Sequence, residues 1–238
     1  MTWLGHSWPL VLALTRDHLV LSLPAVLISV LIAVPIGRLA FLRPRLGSPL
    51  LTAAALLYAV PALPLLIIVP AVIGTPLRSQ ATMIVALSVY GVALLVRTAA
   101  DAFAAVDSRI TDAAVAIGHS PTSVFWRVEL PLAVPVLLSG VRVVMVSTVS
   151  LVTIGALIGV PGLGSLLTDG FQRGITAEVV TGVVATVVLA LVLDGLLLLL
   201  GRALTPWTRP TPRRRRPAAV TATRADPPSG NAGTGEGP

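Results

Sequence analysis

Five long apolar stretches restrict the fold of this chain more than any other feature of its sequence. Only 11% of the residues are charged, whereas about 25% is usual for a soluble domain. A helix needs roughly 20 mostly apolar residues to cross the hydrocarbon core of a membrane. The stretches therefore predict an all-α membrane protein with about five spans and room for a sixth. The predicted spans cover residues 19–41, 50–73, 81–96, 130–154 and 179–204.

The residue types that are missing exclude several kinds of chemistry. There is no cysteine, so disulfides, thiolate nucleophiles and cysteine-based zinc sites are ruled out. The three histidines, at positions 6, 18 and 119, are scattered along the chain. We therefore predict no metal site and no soluble enzyme.

The arginines predict how the spans are oriented. All 17 basic residues are arginine, and segments on the cytoplasmic side of a membrane carry an excess of them. If the N-terminus lies outside, thirteen arginines are cytoplasmic, in the ranges 38–45, 97–127 and 202–224. We therefore predict an N-out, C-in topology. The scatter also argues against a nucleic-acid binder, which would cluster its basic groups on one folded face.

Two terminal segments flank the predicted transmembrane domain of residues 18–206. Residues 1–17 contain an apolar run that is too short to span and that Arg16-Asp17-His18 closes. We predict a short extracytoplasmic segment there, with at most an interfacial helix. Residues 207–238 are rich in Arg, Pro and Gly and predict a disordered cytoplasmic tail. Its run of four arginines is a simple orientation signal or, alternatively, a contact for anionic lipid headgroups.

The loop between the third and fourth spans, residues 101–129, is long enough to hold helices of its own. An Ala-rich stretch at 110–117 predicts one short helix, and a Gly-His-Ser-Pro break follows it. Glycine ends helices well, and Ser-Pro suits the start of the next one. We predict a second helix over 121–128, anchored by Phe125 and Trp126. The pair would form a cytoplasmic knob that fits a partner's groove.

This loop resembles the EAA loop of ABC importer permeases. The family pattern is Glu-Ala-Ala, three residues, Gly, nine residues, Ile, one residue, Leu-Pro. Here Asp replaces Glu and Val replaces Ile, and every spacing is kept. In that family the loop forms the coupling helix that sits in a cleft of the ATP-binding subunit. The matching residues, which the resemblance assigns to ATPase coupling, are Asp112, Ala113, Ala114, Gly118, Val128, Leu130 and Pro131.

The resemblance extends over residues 15–207 and is strongest to permeases for osmoprotectant quaternary amines. Residues 127–135, 140–142 and 158–164 and the pair Leu193-Asp194 are similar to that branch. Its usual substrates are glycine betaine, carnitine and choline. The resemblance implies a MetI-like fold, the type I ABC importer transmembrane domain. Where the branch tends to have a Gln-Thr pair before the proline of the second span, this chain has Tyr58-Ala59-Val60-Pro61.

Several residues near the spans are candidates for the transport pathway. Prolines at 61, 64 and 70 interrupt the second span, and irregular backbone at membrane depth is tolerated beside a water-filled cavity. Tyr58 could offer its ring to a quaternary ammonium group or simply pack in the core. The turn Gly162-Leu163-Gly164 resembles a glycine-rich turn near the external gate, with Leu163 as an apolar plug. The alternative for it is an ordinary tight turn.

Arg142 and Asp194 are charged residues inside predicted spans, where a charge is costly and usually paired. Arg142 lies roughly 18 Å into the fourth span and Asp194 roughly 15 Å from the end of the fifth, at 1.5 Å per residue. The two spans run in opposite directions, so these depths are similar. We predict an ion pair between them that fixes helix packing. The alternative is that Arg142 faces the transport cavity.

A chain without lysine cannot contain the phosphate-binding loop of ATPases. ATP and Mg²⁺ are therefore expected on a separate ATP-binding subunit, with no cofactor and no catalytic residue in this chain. The other expected partners are a second permease copy, identical or paralogous, and an extracytoplasmic substrate-binding protein. We predict a permease subunit of an ATP-driven importer in the bacterial inner membrane. The alternatives are a permease for an amino acid or sulfonate, a secondary transporter, and a membrane scaffold.

Overall fold

The computed structural model describes residues 2–208, and every regular element in that range is helical. Of the predicted disordered tail, 207–238, the first two residues belong to the 3₁₀ turn Pro206–Thr208, and 209–238 lie outside the described residues. A π-helical turn, Phe125–Glu129, joins α6 to α7, and a 3₁₀ turn, Gly155–Ile158, follows α7. The predicted all-α class is confirmed. The α-helices are α1 Thr2–Leu42, α2 Pro44–Ala59, α3 Ala62–Ile73, α4 Gln80–Ala104, α5 Ser108–Ala116, α6 Pro121–Val124, α7 Leu130–Ile154, α8 Gly164–Arg173 and α9 Thr176–Leu204.

The helices provide four to five candidate spans. Four straight segments are long and apolar enough to cross a membrane, and the bent pair α2–α3 makes five if it counts as one broken span. Within residues 2–208 no sixth candidate occurs. The straight segments are Ser7–Leu42, Gln80–Ala104, Pro121–Ile158 and Thr176–Leu204.

The first helix corrects the prediction of a separate segment over residues 1–17. α1 continues without interruption from Thr2 to Leu42, which is about 60 Å, or twice the thickness of the hydrocarbon core. Arg16 is exposed while His18 is fully buried, so the charged triplet does not end the helix. Val11 and Leu14 belong to the same core cluster as residues of α4 and α7. The transmembrane domain therefore begins before residue 18.

The second span is broken at one point and not at three. α2 and α3 meet at an angle of 110°, with Val60 extended at ψ 126°. A residue that precedes proline is driven out of the helical region, which places the break at Val60-Pro61. Pro64 lies in the first turn of α3, where its missing N–H costs no hydrogen bond. Pro70 lies within α3 and does not end it.

The remaining spans match their predicted positions, with one extension. α7 covers the predicted residues 130–154, and α9 starts three residues before 179. α4 runs two turns beyond the predicted end at Val96. It stays helical there because Ala99, Ala102 and Phe103 pack into a cluster with Ala133 and Leu137 of α7.

Small residues bring α1 and α4 into close contact at the centre of the bundle. A Cβ on Gly37 would lie 2.5 Å from the Cβ of Ala99, so only glycine permits this approach. Ser29 Oγ donates to the carbonyl of Ser88 at 3.1 Å, and Ser88 Oγ donates to the carbonyl of Ala25 at 3.3 Å. Small residues and hydroxyl bonds of this kind hold helices together where lipid removes the hydrophobic driving force.

Candidate functional site

The long loop between α4 and α7 folds into the helix, turn and helix that its sequence predicts. The Asp107 side chain caps α5 by accepting a hydrogen bond from the N–H of Arg109 at 2.9 Å. The turn after α5 contains Gly118, whose φ of +93° is a conformation that glycine adopts without steric cost. Ser120 caps α6 by accepting from the N–H of Ser123 at 3.3 Å. Backbone shape alone demands glycine at 118, because nothing lies within 4 Å of a Cβ placed there.

The seven EAA-type residues divide between the surface and the interior of this loop. Three are exposed: Asp112, Ala113 and Gly118. Four are fully or partly buried: Ala114, Val128, Leu130 and Pro131. The loop also exposes four large apolar side chains: Ile110, Val115, Ile117 and Trp126. Apolar groups on an exposed knob are typical of a protein-binding surface, whereas the inward residues attach the knob to the bundle.

An arginine of α1 holds the loop, a contact that the sequence analysis missed. Both Nε and Nη2 of Arg38 donate to Oε2 of Glu129, at 3.2 and 3.0 Å. The Arg38 guanidinium also stacks on Phe125, with its central carbon 3.9 Å from the ring centroid. Phe125 in turn contacts Phe103 of α4, with centroids 6.2 Å apart. Of the two predicted anchors, Phe125 fills that role, and Trp126 is 62% exposed.

The loop passes into α7 through a π turn instead of a flexible linker. The N–H of Leu130 bonds to the carbonyl of Phe125, five residues back. The next residue, Pro131, has no N–H and crowds the carbonyl four residues before it, and the wider π turn accommodates this. Such turns occur frequently at functional sites. Helical backbone therefore runs unbroken from the loop to the far end of α7.

Arg142 and Asp194 lie together at mid-depth, as their predicted positions suggested. Arg142 Nε donates to Asp194 Oδ1 at 2.7 Å, and Arg142 Nη2 donates to Asp194 Oδ2 at 2.6 Å. Two parallel N–H···O bonds give a planar geometry that is stronger than a single contact. The pair joins α7 to α9, two neighbouring helices of the bundle.

The glycine-rich turn after α7 is tightly packed in this structure. Leu163 has no exposed surface and belongs to the core cluster formed by α1, α4, α7 and α9. A Cβ on Gly164 would overlap the carbonyl oxygen of Thr153, whereas one on Gly162 would make ordinary contacts with His18 Nδ1 at 3.5 Å and Val152 at 3.6 Å. Gly164 therefore permits α8 to cross close to α7. These contacts favour the tight-turn interpretation of this segment over a free apolar plug.

A buried histidine, also missed from the sequence, fixes this turn to α1 and α7. His18 has no exposed surface, and its Nε2 lies 3.0 Å from the carbonyl oxygen of Val149. The N–H of Leu163 donates to His18 Nδ1 at 3.3 Å. A neutral imidazole that carries its proton on Nε2 satisfies both contacts. Helical spacing from Leu14 and Leu21 was the signal that could have placed His18 on the buried face.

The two tyrosines of the chain meet at the break in the second span. Tyr58 lies two residues before the Val60-Pro61 break and is 44% exposed. Its ring centroid is 5.0 Å from that of Tyr90 on α4, at an interplanar angle of 43°. Tyr90 was not among the predicted pathway residues, because nothing in the local sequence connects it to Tyr58. Tyr58 is thus neither a core residue nor an isolated ring.

Comparison with known proteins finds matches that cover most of the chain. Residues 25–210 match the family model described as "Binding-protein-dependent transport system inner membrane component". The osmoprotectant import permease protein OsmW of Salmonella typhimurium is 32% identical over 82% of this chain and 91% of its own length. The choline transport system permease protein OpuBB of Bacillus subtilis is 29% identical over 81% of this chain and 87% of its own length.

Solved structures show the same fold. The MetNI methionine ABC transporter in an inward-facing conformation matches with a TM-score of 0.70 at 22% sequence identity. The match covers 86% of this chain and 99% of the solved one. A second crystal form of MetNI matches with a TM-score of 0.66 at 23% identity. At this identity the likeness establishes the helical architecture alone.

Proposed function

This chain belongs to the family of binding-protein-dependent transport system inner membrane components, and from that premise we propose that it imports quaternary amines with the help of an ATPase. As a member of this family, the chain is a multi-pass permease subunit of the inner membrane. The solutes we propose are glycine betaine, choline and carnitine. Support for them comes from the similarity to OsmW and OpuBB, which are named for osmoprotectant and choline transport.

The observation that carries the coupling role is the construction of the loop between α4 and α7. Its outer surface presents Asp112, Ala113 and apolar side chains, which suits a cleft in an ATP-binding subunit. Its inner side connects to α7 through helical backbone and to α1 through Arg38. Movement of the knob is therefore transmitted to two spans at once. Closure of the ATPase would shift the balance between inward-facing and outward-facing states, as differential binding requires.

The proposal includes partners that supply what this chain lacks. ATP and Mg²⁺ would be held by the separate ATP-binding subunit, and this chain would perform no covalent chemistry. A second permease copy, identical or paralogous, would complete the pathway, and an external binding protein would deliver the solute. The arginine distribution supports an N-out, C-in orientation, which would put the knob on the ATPase side.

Uptake of radiolabelled glycine betaine by membrane vesicles tests the proposal, with the partner ATPase and binding protein co-expressed. We expect ATP-dependent uptake by the wild type and its loss in Gly118→Asp. A side chain at a φ of +93° strains the backbone by about 1–2 kcal/mol and distorts the knob. Gly74→Asp is a matched control, because Gly74 also has a positive φ and open space around it but lies outside the loop.

The outcomes separate the parts of the proposal. Loss of uptake in Gly118→Asp with the complex still assembled, and retention in Gly74→Asp, would support coupling through the loop. An assembled, ATP-hydrolysing complex that takes up none of the three amines would overturn the solute and keep the importer. No association with an ATPase would overturn the ATP-driven mechanism.

A further inference from the structure

The tyrosine pair lies at membrane depth, at a place where the backbone cannot face lipid. Tyr90 is ten residues into the 25-residue helix α4, or roughly 15 Å from its start. Tyr58 contacts it and must be at the same depth. Pro61 has no N–H to offer the carbonyls at the end of α2. Lipid offers none either, so a break of this kind is stable only against protein or a water-filled cavity.

The backbone near the tyrosine pair favours a positive charge, and the flanking segments contain no charged side chain. α2 ends at Ala59, and the carbonyl end of a helix carries partial negative charge. Residues 50–77 and 79–96 contain no charged side chain. The neighbouring side chains are those of an apolar cluster that includes Leu66 and Leu87. A ring face in such a low-dielectric place attracts a cation more strongly than one in water.

The proposed coupling loop, residues 101–129, shows the contrasting case. There the face of Phe125 is already occupied, by the guanidinium of Arg38 at 3.9 Å. No side-chain cation among residues 2–208 is recorded over the ring of Tyr58 or Tyr90. Tyr58 keeps 44% of its surface exposed, so the described residues of this chain do not close off its ring.

We propose that Tyr58 and Tyr90 form a cation–π contact site for the ammonium group of the transported solute, at the bend of the broken span. The inference rests on the proposed function, because it requires a solute that carries a quaternary ammonium group. A trimethylammonium group is large, weakly hydrated and unable to donate hydrogen bonds, so aromatic faces are its natural partners. The site would bind the solute weakly, as a transport pathway requires if the solute is also to leave.

The decisive experiment alters the charge distribution on the faces of the two aromatic rings and keeps the shape of the rings. Each tyrosine is replaced by phenylalanine, which retains the ring face, or by pentafluorophenylalanine, whose face repels cations. Glycine betaine uptake per ATP hydrolysed is measured in proteoliposomes of the complete complex, at saturating binding protein. We expect Tyr58→Phe and Tyr90→Phe to remain within about twofold of wild type. The pentafluoro variants should lose about tenfold, the size of a cation–π contact at a partly desolvated site.

A matched control uses the same unnatural residue at Phe171, an aromatic of α8 that is 82% exposed, where uptake per ATP should not change. Equal uptake by phenylalanine and pentafluorophenylalanine variants would overturn the site and leave the solute assignment standing. Wild-type uptake of a solute without an ammonium group, in place of the amines, would overturn both. Loss of ATPase activity or assembly in step with uptake would show a packing role and also overturn the site.

Discussion

The two ends of α7 are both attached to α1, but by opposite kinds of contact. At the coupling-loop end, Arg38 of α1 reaches Glu129 through a charged contact that is 27% and 18% exposed on its two sides. At the other end, His18 of α1 bonds to Val149 and Leu163 with no exposed surface at all. The first contact can be broken and remade at low cost, because water is near. The second cannot, because its polar groups would be left buried and unpaired.

The difference in exposure between these two contacts predicts which end of α7 moves more. A permease driven by an ATPase receives its movement at the coupling loop, where the attachment is polar and partly solvated. The glycine-rich turn at the far end is held by a buried bond and by the close crossing of Gly164 over Thr153. We therefore expect α7 to be displaced more at its loop end than at its His18 end.

Removing the buried contact should damage the fold itself. We expect His18→Ala to lower the free energy of unfolding by about 3 kcal/mol, from an unpaired N–H at Leu163 and a cavity. Thermal unfolding of the purified permease in detergent measures this, and uptake should fall with it. His119→Ala is the control, because the His119 side chain is partly exposed and bonds to Ser123 within the coupling loop. Equal stability of His18→Ala and wild type would contradict a fixed His18 end.

The pair at mid-depth should affect assembly more than transport. We expect Arg142→Ala and Asp194→Ala each to reduce the yield of assembled complex, because each leaves a charge without its partner in a span. The exchange of both residues, Arg142→Asp with Asp194→Arg, should recover part of that yield. The yield is measured by co-purification with the ATPase. A double variant as defective as the singles, with no coupling between the two sites, would refute a structural pair.

The sequence predicted what depends on local composition. α7 appears at its predicted residues because a continuous apolar run is bounded by Leu-Pro and by glycine. Arg142 and Asp194 could be matched because depth in a membrane can be counted along a helix. The start of α1 was wrong because a charged triplet was taken as an end, although its third residue, His18, lies on the buried face. Charge alone does not stop a helix when its charged groups point outward.

Contacts between distant parts of the chain escaped the sequence analysis. Arg38 was counted as an orientation charge, and nothing local indicates that it contacts Glu129, 91 residues away. Tyr90 lies in an ordinary apolar span, and its pairing with Tyr58 depends on the 110° break. Such pairs are fixed by how the helices pack, and a periodic pattern in one helix does not contain that information.

Loosening the attachment at the loop end should give the smallest change in stability and a specific change in coupling. We expect Arg38→Ala to cost about 1 kcal/mol of unfolding free energy, the value of a partly exposed ion pair. Uptake per ATP hydrolysed should fall, because the loop then moves without carrying α1.

Arg38→Lys separates the two contacts, since it keeps the charge for Glu129 and loses the planar stacking on Phe125. Intermediate coupling in Arg38→Lys would show that both contacts transmit movement. Wild-type uptake per ATP in Arg38→Ala would show that α1 is not driven through the loop, and α7 alone would then carry the motion. Unfolding curves and uptake per ATP, recorded on the same preparations, keep the stability effect apart from the coupling effect. A stability loss as large as that of His18→Ala would remove the contrast between the two ends.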